Sequence, residues 1–152
     1  MRFLAPVAAL LTIAGFTTMA AAPLNFGIPA AVHYVDHDKV SAMFLKGGPL
    51  VSDPGLTVNA SHKGAAAIEY HDKTSHIFYI LKGEATFVAG GTLVDPKRTA
   101  NGTGMTGSAI EGGQEYHLTK GDVIMIPEKT PHWWKEVPTG TIDYYAVDIS
   151  TP

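Results

Sequence analysis

Across residues 56–149 the sequence is a succession of short runs rich in β-branched and aromatic residues, interrupted by Gly, Pro, Asp and Asn. Alternation and composition place approximate strands at 56–61, 66–71, 76–81, 84–89, 108–111, 115–118, 122–126, 132–137 and 141–149. Turn signals part them: "DPG" from 53, "KGD" from 120, "PEKTP" from 127 and "PTG" from 138. So many short strands predict an all-β sandwich or barrel. One short helix is expected in "HDKVSAMFLK", where Asp36 can cap the start, Val40, Met43 and Phe44 share a face, and Gly47-Gly48 ends the run. Residues 95–108, rich in Gly, Thr and Asn, are expected to form a long surface loop: a plain connection by preference, a rim over a pocket as the rarer use.

Residues 1–22, "MRFLAPVAALLTIAGFTTMAAA", combine one basic residue, Arg2, with an apolar run and small residues at its end, the pattern of a secretory signal. Pro6 and Gly15 interrupt the run and leave it short of about 20 uninterrupted apolar residues, so a membrane anchor is the weaker reading. The expected order is therefore a signal at 1–22, an extension with the short helix at 23–55, and a barrel at 56–152, in an exported chain, periplasmic or secreted. With 45% hydrophobic and 16% charged residues the remainder suits one globular core. Losing Arg2 takes the net charge from −3 to −4, and no Lys/Arg cluster is present, so a nucleic-acid partner is not expected. Cysteine is absent, which excludes disulfides and thiolate chemistry.

Chemistry concentrates in "EYHDKTSH", residues 69–76. Residues two apart in a strand share a face, so Glu69 and His71 project together. Four residues separate His71 from His76, a length that suits a hairpin or a tight corner. In a hairpin His71 and His76 flank each other and Glu69 lies opposite Phe78, with facing Cβ atoms roughly 4.5 to 5.5 Å apart. One carboxylate and two imidazoles then converge, a donor set for Zn, Fe, Mn, Ni or Cu. His76 serves equally as ligand or as base. A second segment, "GDVIMIPEKTPHWW", offers a strand, a Pro-bounded turn and a strand opening on His132. Phe78 and Ile80 share the face of His76, and Trp134 that of His132, as pocket walls or as ordinary core. His33, His37, His62 and His117 are expected to be merely solvated. Tyr70, Tyr79, Tyr144 and Tyr145 are further possible proton donors.

These two segments resemble the paired motifs of the cupin superfamily, small jelly-roll β-barrels, or double-stranded β-helices, that often hold a divalent metal. Glu69 stands where the first motif has its first His, His71 at the second His, His76 at the Glu, and Gly83 at the closing Gly. Gly121, Pro127 and His132 follow the second motif, while Lys129 replaces a Gly and Glu136 an Asn. The resemblance spans about residues 66–149 and implies a metal held by Glu69, His71, His76 and His132. It further implies a metal-dependent enzyme acting on a small organic substrate, of dioxygenase, isomerase or lyase type. The competing expectation is a non-catalytic exported protein that binds a small molecule or metal. Barrels of this kind commonly pair through edge strands, so a homodimer is also expected.

Overall fold

A computed structural model describes residues 31–151, so the export segment expected at 1–22 lies outside the described residues. Asp36, in extended conformation, caps the helix α1 (His37–Phe44) by accepting the Lys39 N–H at 3.0 Å. Thirteen strands follow: β1 (Gly48–Asp53), β2 (Leu56–Lys63), β3 (Glu69–His71), β4 (Thr74–Lys82), β5 (Ala85–Ala89), β6 (Thr92–Val94), β7 (Lys97–Arg98), β8 (Gly104–Thr106), β9 (Ala109–Glu111), β10 (Gln114–Leu118), β11 (Val123–Ile126), β12 (His132–Glu136) and β13 (Ile142–Ser150). They form a five-stranded sheet ordered β1-β2-β13-β4-β11, a six-stranded sheet ordered β10-β5-β12-β3-β8-β7, and the small pair β6-β9. Every pairing is antiparallel. Among the described residues, the all-β barrel with one short helix is thus the observed architecture. Residues 48–53, assigned to the extension from sequence, supply the edge strand of the first sheet.

Strand parity decides what lies between the sheets. On β4, His76, Phe78 and Ile80 are buried while Tyr79 between them is exposed. On β13, Ile142, Tyr144 and Ala146 are buried in the same alternation. Phe87, Leu118, Ile126 and Trp134 meet them from the remaining strands. Trp134 lies at the centre, its ring centroid 4.7 Å from Phe87, 4.8 Å from Tyr144 and 5.6 Å from Phe78. Each fully buried side chain of this size contributes about 1.5–3 kcal/mol relative to exposure. On the outer face α1 packs over the first sheet, with Phe44 edge-on to Tyr145 at 5.3 Å.

Two local expectations are corrected. Strands β3 and β4 do not form a hairpin: the residues between them carry the chain from one sheet to the other. Both edges of β4 are already taken, by a run along β13 from Asp143 to Ser150 and by β11, and these long ladders leave no place for the three-residue β3. Glu69 consequently faces His132 on one side and Thr106 on the other, not Phe78. The segment 95–108 is not simply a loop, because it contains β7 and β8. It pairs so closely with β3 that a Cβ on Gly104 would stand 2.0 Å from the Tyr70 carbonyl oxygen, a space only glycine leaves open. Its Thr and Asn residues bind one another: Asn101 Oδ1 accepts from the Thr103 N–H and from the hydroxyls of Thr99 and Thr103.

Candidate metal centre

The corner between the sheets, wrong as a hairpin, still brings the two His together. His71 ends β3 in one sheet, His76 sits near the start of β4 in the other, and their ring centroids are 4.9 Å apart. His132 opens β12 immediately after the Pro-bounded turn. That turn is held by the Lys129 N–H, which donates to the His71 carbonyl at 2.7 Å, and by the Gly90 N–H, which donates to the Pro131 carbonyl at 2.9 Å. Lys129 reaches this position with φ at +59°, in the region that favours glycine. The His132 ring centroid then lies 5.8 Å from that of His71 and 5.4 Å from that of His76.

One ligand nitrogen from each of His71, His76 and His132 lies within 4.8 Å of the others. Nitrogens sharing an ion at about 2.1 Å stand no more than about 4.2 Å apart, so the rings need only a small closure. Two of them have their donor side fixed. His132 Nδ1 donates to the Thr130 carbonyl at 3.0 Å, and His76 Nδ1 to Asp148 Oδ1 at 2.7 Å. A carbonyl and a carboxylate only accept, so in each neutral ring the lone pair is on Nε2. His76 Nε2 is buried without a hydrogen-bond partner, which ordinary packing leaves unexplained and a metal would satisfy. Burial pushes the His132 imidazole down to about 4, and burial also lowers His71 against the opposing pull of the Glu69 carboxylate. Both are therefore neutral near pH 7, the form that ligates. The donor set fits a divalent metal.

Glu69 lies beside the three rather than among them: its carboxylate is 3.8 Å from His71 Nε2 and 38% exposed. The four face a cavity of about 200 Å³ whose wall includes Phe78, Trp134 and Tyr144 and whose polar side includes Ser61 and Lys63. Ile80, expected as a wall, is instead fully buried in the core and does not line the cavity. Two residues of strand advance roughly 6.6 Å, so Phe78 already spans the wall and Ile80 falls below it. A larger depression of about 410 Å³, between Gly90 and Met125, has Tyr116 as its one titratable side chain and offers no comparable chemistry.

Sequence reasoning missed Asp148, Asn59 and Lys63. The available signal was parity: Asp148 continues the inward series Ile142, Tyr144, Ala146, where a carboxylate needs a reason. The four His expected to be solvated are more exposed than the triad, although His33 lies 2.8 Å from Asp53 and His62 pairs with Asp143.

Among solved structures the fold is similar to Fe(II) HppE at 18% identity and a TM-score of 0.50, over 68% of this chain and 50% of that one. It is also similar to a cupin protein from Bacteroides fragilis at 16% identity and a TM-score of 0.42, over 63% of this chain and 66% of that one. Hydroxypropylphosphonic acid epoxidase from S. wedmorenis aligns at 18% identity and a TM-score of 0.48, over 66% of this chain and 48% of that one. The chain thus spans about half the length of the first structures it resembles. No curated protein matches it in sequence. The Cupin family pattern matches residues 55–151, which covers both motifs and every strand from β2 to β13, and the chain belongs to the cupin family.

Proposed function

We propose that the chain is a metal-dependent enzyme that acts on a small anionic organic substrate, with His71, His76 and His132 as the metal's protein ligands. The observation that carries this reading is the buried, unpartnered Nε2 of His76 facing two further imidazoles. Three nitrogen ligands leave coordination positions open, as catalytic sites do. A bound divalent ion, Fe, Mn, Ni, Zn or Cu, would supply Lewis-acid polarisation of a substrate oxygen. The chain's own residues do the rest. Lys63 is the one Lys or Arg lining the cavity and has no ion-pair partner among the described residues, so its ammonium is free to take the substrate's carboxylate. Glu69, at the mouth, accepts a proton from the substrate. Tyr144, kept protonated by burial, remains a hydrogen-bond donor at the wall. The cavity of about 200 Å³ suits a small substrate such as a simple hydroxy or keto acid.

The test is metal content after purification without oxygen, then product analysis and oxygen uptake over a panel of small carboxylic acids. The expected result is stoichiometric metal in the wild type and in His62→Ala, its loss in His71→Ala and His132→Ala, and turnover of an acid that distinguishes dioxygenase, isomerase and lyase chemistry. Equal metal in all four proteins would overturn the site. Metal and ligand binding without turnover would assign the chain as a binding protein.

We also infer export, supported by Arg2 and the apolar run to residue 22. N-terminal sequencing of the protein from the periplasm or medium tests it, with an uncleaved chain in the cytosol as the contrary result. A homodimer is supported by the unpaired edge of β11, where Val123 and Met125 are both 64% exposed. A monomeric mass in solution would refute it.

A further inference from the structure

Asn59, Asp148 and His76 lie on the inner face of three adjacent strands, β2, β13 and β4, with Asn59 diagonal to Asp148. Asp148 is the direct cross-strand neighbour of His76 and accepts its Nδ1–H at 2.7 Å. The other carboxylate oxygen accepts from Asn59 Nδ2 at 2.8 Å, so both oxygens are tied and the group is held in one orientation. Both hydrogen bonds leave the opposite edge of the His76 ring untouched, where Nε2 is buried and unpartnered.

We propose that Asp148, steadied by Asn59, is a positioning residue that fixes His76 in the tautomer with its proton on Nδ1 and so keeps the Nε2 lone pair aimed at the site. The inference rests on the reading of His71, His76 and His132 as ligands. The triad is served in two ways: His132 is anchored by the Thr130 carbonyl, which no side-chain substitution removes, whereas His76 depends on replaceable side chains. A neutral imidazole whose Nδ1 loses its acceptor is free to carry the proton on Nε2 and to rotate, and either change removes one of three ligands. Charge adds to geometry, because an anionic acceptor makes the opposite nitrogen a stronger donor to a cation.

Two measurements on the full chain test this. The first is the ¹⁵N spectrum of the imidazoles in metal-free protein, which reports the tautomer of each His. The second is zinc(II) affinity by competition with a chromophoric chelator. In the wild type His76 is expected to carry its proton on Nδ1. Asp148→Ala should move the proton toward Nε2 and weaken zinc binding about 10- to 100-fold, the usual cost of losing such a partner. Asp148→Asn can turn its carbonyl to the ring once the Asn59 amide rotates, so it should keep the tautomer and recover most of the affinity. A wild-type His76 protonated on Nε2 overturns the proposal without any variant. So does an Asp148→Ala protein that keeps the tautomer, whether its affinity holds or falls. A wild type that binds no zinc but shows the Nδ1 tautomer would sink the metal reading and leave the Asp148 contact intact.

Discussion

The space between the two sheets has two ends built from the same strands. At one, Ile80, Ala85 and Ile142 are sealed from solvent. At the other, Asn59, Lys63, Glu69 and three His surround an open cavity. Strand β4 serves both, since His76 belongs to the cavity, Ile80 to the core, and Phe78 stands between. The pleat that buries one buries the other, so chemistry and stability are separated only by depth along a strand. The apolar end therefore supplies most of the folding free energy, and the polar end holds groups that burial disfavours but a cation would favour.

The sharpest way to break this division is Ile142→Ala at the sealed end, expected to cost about 2–5 kcal/mol in denaturant unfolding, a large share of an ordinary domain's stability. If it instead removed metal while leaving stability intact, the two ends would not be separate. Second is pH. His132 is held at about 4 when folded and is ordinarily near 6.5, so the unfolded chain binds more protons between those values. Its contribution to metal-free stability is complete above 6.5 and lost as pH falls through 4, a change of about 3 kcal/mol. Unfolding at several pH values should show that change, and His132→Gln should flatten it. Third, Lys129→Gly should stabilise the protein by about 1 kcal/mol, because glycine adopts the positive φ of that turn without a Cβ clash. Thermal melting measures it, and a loss of stability would mean the Lys129 side chain contributes something the backbone does not reveal. Last and smallest in binding, Glu69→Gln should change zinc affinity by less than about tenfold, the low end of an outer-partner loss, while turnover falls. Complete metal loss would make Glu69 a ligand.

The sequence carried nine of the thirteen strands in approximate position, the helix cap and the parity that sets Glu69 and His71 on one face, because these are local properties. It also carried the family, through the spacing from residue 69 to residue 83 and from residue 121 to residue 132. Pairing was not local. Whether β3 folds back on β4 or crosses to the other sheet depends on competition from β13, some seventy positions later, and no turn signal at residues 72–75 records that competition. The same distance hid Asp148, which meets His76 only through that ladder. Residues 104–106 concealed a strand because Gly, Met and Thr have no strong β pattern, and the pairing with β3 rests on the missing side chain of Gly104.

His76 belongs to one sheet while His71 and His132 belong to the other. An ion held by all three would act as a bolt across the seam, adding to the chain crossings at residues 72–73 and 127–131 and to the packing farther in. Amide hydrogen exchange would then respond to metal in a directional way: slowed at residues flanking the rim and little altered around Ala85 and Ile142. Such a bolt would make the entrance stiffest when the protein is ready to work and loosest when it waits for its ion.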